Sequence, residues 1–196
     1  MSNETRTLHI KNMVCPRCIQ AVKTILTDLG YSVRAIDLGW AEIAITDKPV
    51  DLPAIAKSLQ NSGFELLQNR EKQLVEQIKN TLLTYIYSLE KADAPENASE
   101  FLGEKLGFSY AYLSKLFSQI EHVTIEKYLI HLKIERVKEL LSYGELTLSE
   151  IAFRLQYSSS QHLSRQFKQI TGITVSEFKS QPYVHRHSLD GLQFDA

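Results

Sequence analysis

Polar and apolar positions alternate along two different periods, and the period changes once. At the start, Leu8 and Ile10 alternate with Thr7, His9 and Lys11, the pattern of a half-buried strand. Ile19, Val22, Leu26 and Leu29 then recur at helical spacing, and Gly30 closes that helix. Residues 31–38 and 40–46 are β-rich runs on either side of Gly39, which predicts a hairpin. Asp51, with Pro53 in the first turn, opens a second helix through Ile55, Ala56 and Leu59, and Gly63 ends it before a last strand at 64–67. The order is βαββαβ, which packs two helices on one face of a four-stranded sheet.

From Glu71 the period is helical and remains so. Leu74, Ile78, Leu82, Tyr85, Ile86 and Leu89 form one stripe over 71–90. Residues 92–99, with Pro95 and Asn97, read as a loop, and five or six more helices are predicted to end near Lys179. The remainder, with His185 and His187, has no periodicity and reads as a mobile tail. The expected fold is therefore α+β, with a ferredoxin-like βαββαβ domain over 1–70, an all-α domain over 71–181 and a tail over 182–196.

An internal repeat organises the second half. The stretch Ser109, Leu113, Ser114, Lys115, Phe117 recurs fifty residues later as Ser159, Leu163, Ser164, Arg165, Phe167. Each copy follows a similar lead-in, Leu106-Gly107-Phe108-Ser109 and Leu155-Gln156-Tyr157-Ser158. A short helix, a tight turn and a Ser-capped second helix, made twice, are two helix-turn-helix units. In each second helix the Leu and the Phe, four residues apart, face inward. That turns Ser109, Tyr110, Tyr112, Ser114 and Lys115 outward in the first copy, and Ser159, Ser160, Gln161, His162, Arg165 and Lys168 in the second. These side-chain types suit base edges and phosphates. A helix over 124–141, ~27 Å long at ~1.5 Å per residue, could hold the two reading helices about one DNA turn, ~34 Å, apart.

Residues 76–180 resemble the AraC-type DNA-binding domain. The resemblance lies in Tyr128-Leu129, Lys133-Ile134-Glu135 and Glu139-Leu140-Leu141, then Leu148-Ser149-Glu150-Ile151-Ala152, and above all Leu163-Ser164-Arg165-Gln166-Phe167-Lys168 with Gly172-Ile173-Thr174. It implies a transcription regulator acting on double-stranded DNA in the cytoplasm, with RNA polymerase and a second copy of the chain as protein partners. Gln156 stands where the family has Gly in the second turn, Lys133 and Lys179 where Arg is usual, and Val175 where Pro is usual. The Gln156 position is one where positive φ is expected.

Composition adds one constellation. Both cysteines lie in Met13-Val14-Cys15-Pro16-Arg17-Cys18, between the first strand and the first helix. Two cysteines exclude a disulfide scaffold and favour a reduced thiol pair. A helix N-terminus favours thiolate there, and soft thiolates select Cu(I), Zn(II) or similar ions. Residues 6–69 resemble a heavy-metal-associated domain, which implies Cys15 and Cys18 as metal ligands and Met13 as the buried prop of their loop. Asn12 replaces the usual Gly before that Met. Seventy residues are too few for a thioredoxin-like exchanger.

The remaining signals are weak. Net charge is −1 over 196 residues, with no strongly basic half, so DNA affinity must come from a local patch. The most apolar run, 81–89, is half the length a membrane span needs, and the first fifteen residues lack a signal-peptide core. His122, His131 and His162 have no second ligand at metal spacing, and Trp40, Tyr85 and Tyr87 read as packing residues. No phosphate loop, nucleophile triad or carboxylate pair suggests an enzyme. The alternatives are a metal carrier or buffer whose helical half binds a protein, and a thiol-redox regulator on the same DNA-binding frame.

Overall fold

The structure, a computed structural model, describes residues 4–45, 49–90 and 97–180. The end of the 40–46 run, most of the 92–99 loop and the 182–196 tail with His185 and His187 lie outside the described residues. Two compact units divide the chain, Met1–Asn80 and Thr81–Ala196.

The first unit runs β1 (Thr5–Lys11), α1 (Pro16–Asp28), β2 (Val33–Asp37), β3 (Trp40–Ala44), α2 (Leu52–Gln60) and β4 (Glu65–Leu67). Its sheet is antiparallel throughout, in the order β2-β3-β1-β4. Leu8 pairs with Ala41 and Ile10 with Leu66, so the alternation seen in the sequence sends one row of side chains to one face. That row meets Val22 and Leu26 of α1 and Ile55 and Leu59 of α2 in a single buried cluster with Ile43 and Met13. The strand expected at 31–38 is shorter, Val33–Asp37, and its pairing with β3 is irregular between Val33 and Ala35. The hairpin needs Gly39 twice over. Its φ is 85°, and a Cβ there would lie 2.1 Å from Nδ2 of Asn80.

Asn80 belongs to α3 (Arg70–Ser88), which begins in the first unit and ends in the second. Asn69 starts this helix, its Oδ1 accepting the backbone N–H groups of Glu71 and Lys72, and the Gln73 amide donates to the Leu67 carbonyl at 2.8 Å.

In the second unit the end of α3 is followed by α4 (Ala98–Leu106), α5 (Tyr110–Glu121), α6 (Ile125–Tyr143), α7 (Leu148–Arg154), α8 (Ser160–Thr171) and α9 (Val175–Ser180). The loop expected over 92–99 stops sooner. Asn97 caps α4, accepting the Glu100 N–H at 2.8 Å, so Ala98 and Ser99 are already helical. Tyr85 packs against Phe101 with ring centroids 5.5 Å apart and planes tilted by 51°, which places part of the α3 stripe against the first helix-turn-helix. Side chains on several faces of α6, among them Tyr128, Leu132, Ile134, Val137 and Leu141, are buried, and the helix touches α5, α7, α8 and α9. Two charges on it are neutralised locally. Lys138 Nζ lies 2.6 Å from Glu135, and Arg136 binds Glu90 and Glu139 at 2.6 Å beneath the Tyr87 ring. Among the described residues no helix is long and apolar enough to cross a membrane.

Candidate functional site

Both helix-turn-helix units are built from the same local chemistry. In the first, α4 ends on Gly107 with φ 72°, and Ser109 caps α5 by accepting the Tyr112 N–H. In the second, α7 ends at Leu155, Gln156 takes φ 55°, and Ser159 caps α8 by accepting the His162 N–H at 3.1 Å. Gln156 thus adopts the left-handed conformation that Gly107 adopts in the first turn, as the substitution at that position led us to expect. Leu113, Phe117, Leu163 and Phe167 are fully buried, which fixes the faces of both reading helices.

What those faces present differs between the copies. On α5, Tyr112 and Lys115 are exposed and Ser114 is half-buried, while the half-buried Tyr110 donates its hydroxyl to Glu126. Burial first, and then that carboxylate, push the Tyr110 hydroxyl well above its ordinary value; the same bond holds Glu126 below the usual carboxylate range. On α8, Gln161, His162, Arg165 and Lys168 are exposed, and Ser160 and Ser164 are half-buried. Ser164 donates back to the Ser160 carbonyl at 2.9 Å, and Ser158 bonds Nδ1 of His162 at 3.0 Å. Ser109 and Ser159 are exposed and act as caps through their hydroxyl oxygens.

The second copy also forms an open groove that sequence reading did not single out. Arg165, Lys168 and Lys179 line it together with Ser164, Ser176 and Gln169. Lys179 lies on α9, eleven residues after Lys168 and fourteen after Arg165 on α8, so no periodicity in the sequence joins them. Phe153 is likewise missed and stands 84% exposed on α7. Two Thr/Glu pairs hold the helix starts around the groove. Thr147 and Glu150 form a capping box on α7, and Thr174 and Glu177 bond each other in the same way at α9. The Thr147 hydroxyl and N–H hold Glu150 below its ordinary value, and the Thr174 N–H and hydroxyl do so for Glu177.

The thiol pair lies in the first unit. Cys15 is the extended N-cap of α1 and Cys18 sits in its first turn, with the sulfurs 3.3 Å apart and both half-buried. Met13 is fully buried in the core cluster against which Cys18 packs. Asn12, at φ 72°, supplies the left-handed turn and donates its amide to the Gly63 carbonyl at 2.9 Å. Burial raises the Cys15 thiol, but the Cys18 N–H and thiol, the Arg17 N–H and the Arg17 charge outweigh it, leaving Cys15 below its ordinary value. Burial and the neighbouring Cys15 raise Cys18. Among the described residues, no cluster of three or more His, Cys, Asp or Glu adds further ligands.

Residues 102–181 match the family model of a helix-turn-helix domain. Among curated proteins it is similar to the Msm operon regulatory protein of Streptococcus mutans, 27% identical over 131 residues, covering 66% of this chain and 44% of that one. It is also similar to the HTH-type transcriptional activator RhaS of Escherichia coli, 29% identical over 145 residues, covering 72% of this chain and 50% of that one. The chain therefore spans about half the length of these regulators or less. A solved structure, that of a transcriptional regulator of Chromobacterium violaceum with an AraC-type DNA-binding domain, is 21% identical with a TM-score of 0.47, over 56% of this chain and 95% of that one.

Proposed function

We propose that the protein is a sequence-specific DNA-binding transcription regulator of AraC type, acting in the cytoplasm on double-stranded DNA. One observation carries the reading: two Ser-capped helices, each behind a tight left-handed turn, expose Lys115 on one and Gln161, Arg165 and Lys168 on the other, inside the stretch that matches the helix-turn-helix family. An α-helix fits the major groove, where Arg pairs bidentately with guanine and Gln with adenine. The groove that brings Lys179 beside Lys168 and Arg165 supplies the local positive patch that a net charge of −1 does not. The test is to recover binding sites from a random duplex pool with the full chain at fixed salt. A pool that yields no enriched sequence would rule the reading out.

A finer reading concerns Cys15 and Cys18, on a unit read as ferredoxin-like and similar to heavy-metal-associated domains. The residues fit a soft metal ion. Their 3.3 Å sulfur separation is within about half an ångström of the ~3.8 Å spanned by two thiolates on a tetrahedral zinc with ~2.3 Å bonds. Cys15 is held towards thiolate, and Cys18 packs on the core cluster that includes Met13. A bound ion such as Cu(I) or Zn(II) would supply the signal to which the regulator responds. Elemental analysis of native protein against Cys15→Ser/Cys18→Ser is expected to show one ion per chain in the former alone. Equal stoichiometry in both would remove the site, and a Cys15–Cys18 disulfide without metal in protein taken from cells would make the signal redox instead.

A further inference from the structure

We propose that the two reading heads recognise different base chemistry: the first reads thymine through an apolar surface of Phe108, Ala111 and Tyr112, while the second reads purines with Gln161 and Arg165. The proposal rests on the DNA-binding reading above and adds a base class to each head. Ser109 and Ser159 are equivalent caps, so the residue before each cap and the third residue after it occupy equivalent places. In both heads these two side chains meet. In the first they are Phe108 and Tyr112, with ring centroids 5.4 Å apart at an angle of 34°. In the second they are Ser158 and His162, joined by a hydrogen bond of 3.0 Å. His162 also packs edge to face on Tyr157 at 5.4 Å, but Tyr157 is half-buried with its hydroxyl on Gln166, so the second head exposes Ser158 and His162 where the first exposes two aromatic rings.

The rest of the first head follows suit. Phe108 and Tyr112 remain 46% and 47% exposed, so the ring pair is not absorbed into the core. Ala111 is exposed between them, where α8 has Gln161. The Tyr110 hydroxyl is spent on Glu126, and Lys115 is the single cation of α5, where α8 carries Arg165 and Lys168. The N-terminal residues of a reading helix are those that meet base edges. In the major groove, the feature that an apolar surface can recognise is the thymine C5-methyl group. The first head presents apolar groups where the second presents hydrogen-bonding ones, so the operator should pair a thymine-rich box with a purine-reading box.

The experiment takes an operator selected from the random pool and replaces thymine by uracil one box at a time, which keeps pairing and removes only the methyl. The box that Arg165→Ala relaxes marks the second head. In the other box each contacted thymine should cost about fourfold in affinity, the ~0.8 kcal/mol of one buried CH₂ converted at ~1.4 kcal/mol per tenfold. In the Arg165 box the change should stay below about twofold on the same scale. The double variant Phe108→Ser/Tyr112→His, which gives the first head the second head's pair, should bind through the Arg165 box and lose its sensitivity to uracil. Wild-type protein indifferent to uracil in the first box would overturn the base assignment while leaving DNA binding intact, as would a variant that keeps the sensitivity. A pool with no enriched site would instead remove the DNA reading, and this proposal with it.

Discussion

Gln156 is held in a conformation that side chains resist. At φ 55° its Cβ crowds the following carbonyl, at a cost of roughly 1–2 kcal/mol that glycine avoids. Gln156→Gly is expected to raise stability by about 1 kcal/mol, part of the relief being offset by the freer unfolded chain, and to leave DNA affinity unchanged. Chemical denaturation beside a binding titration checks both; a destabilised variant would contradict the strain. Glu150 carries a pH dependence. Its carboxyl is lower in the folded protein than in the unfolded chain, held there first by the Thr147 hydroxyl and then by the Thr147 N–H. A group depressed on folding stabilises the fold above its unfolded pKa, and that contribution fades as pH falls through the folded value. Glu150→Gln should therefore be less stable than wild type near neutrality, with the gap closing in acid. A gap that widens in acid would reverse the assignment.

At the level of elements, the two reading helices should respond differently to loss of their equivalent cations. Lys115 and Arg165 lie at the same repeat position and both are exposed. Lys115→Ala is expected to weaken binding about evenly across sequences and to lower the salt slope by about one, as loss of a phosphate contact does. Arg165→Ala is expected to cost ~1–3 kcal/mol and to relax one base position, as loss of a guanine pair does. Competition titrations against single-base operator variants at several salt concentrations separate the two. Wild-type affinity and slope in both variants would refute the placement of these helices on DNA.

For the whole molecule, metal at Cys15 and Cys18 is expected to change operator binding. A soft ion that changes operator affinity can do so only by binding two states of the protein unequally, and a coupling of ~1–3 kcal/mol corresponds to about five- to 150-fold. Reciprocity then requires operator DNA to shift the metal affinity of Cys15 and Cys18 by the same factor. Metal titrations with and without operator measure this, and equal affinities would show that the thiols serve another purpose. Because Cys15 is held towards thiolate, its contribution to metal affinity should persist to lower pH than that of an ordinary thiol.

The order of elements, the inward faces of both reading helices, the Ser caps and the left-handed turn at Gln156 were legible in the residues, since each depends on neighbours within a turn or two of chain. So was the thiol pair, because an i, i+3 spacing at a helix start brings two side chains to one side. Other features depend on groups far apart in sequence, whose meeting no local pattern records. The Tyr110 hydroxyl is spent on Glu126, sixteen residues away, and Arg136 is clamped by Glu90, forty-six away. Lys179 comes beside Lys168 only because α9 folds back on α8, where Phe167 and Phe178 pack edge to face at 5.6 Å. Periodicity reports which way a side chain points. What it meets there is decided by packing, which brings together residues that the chain keeps apart.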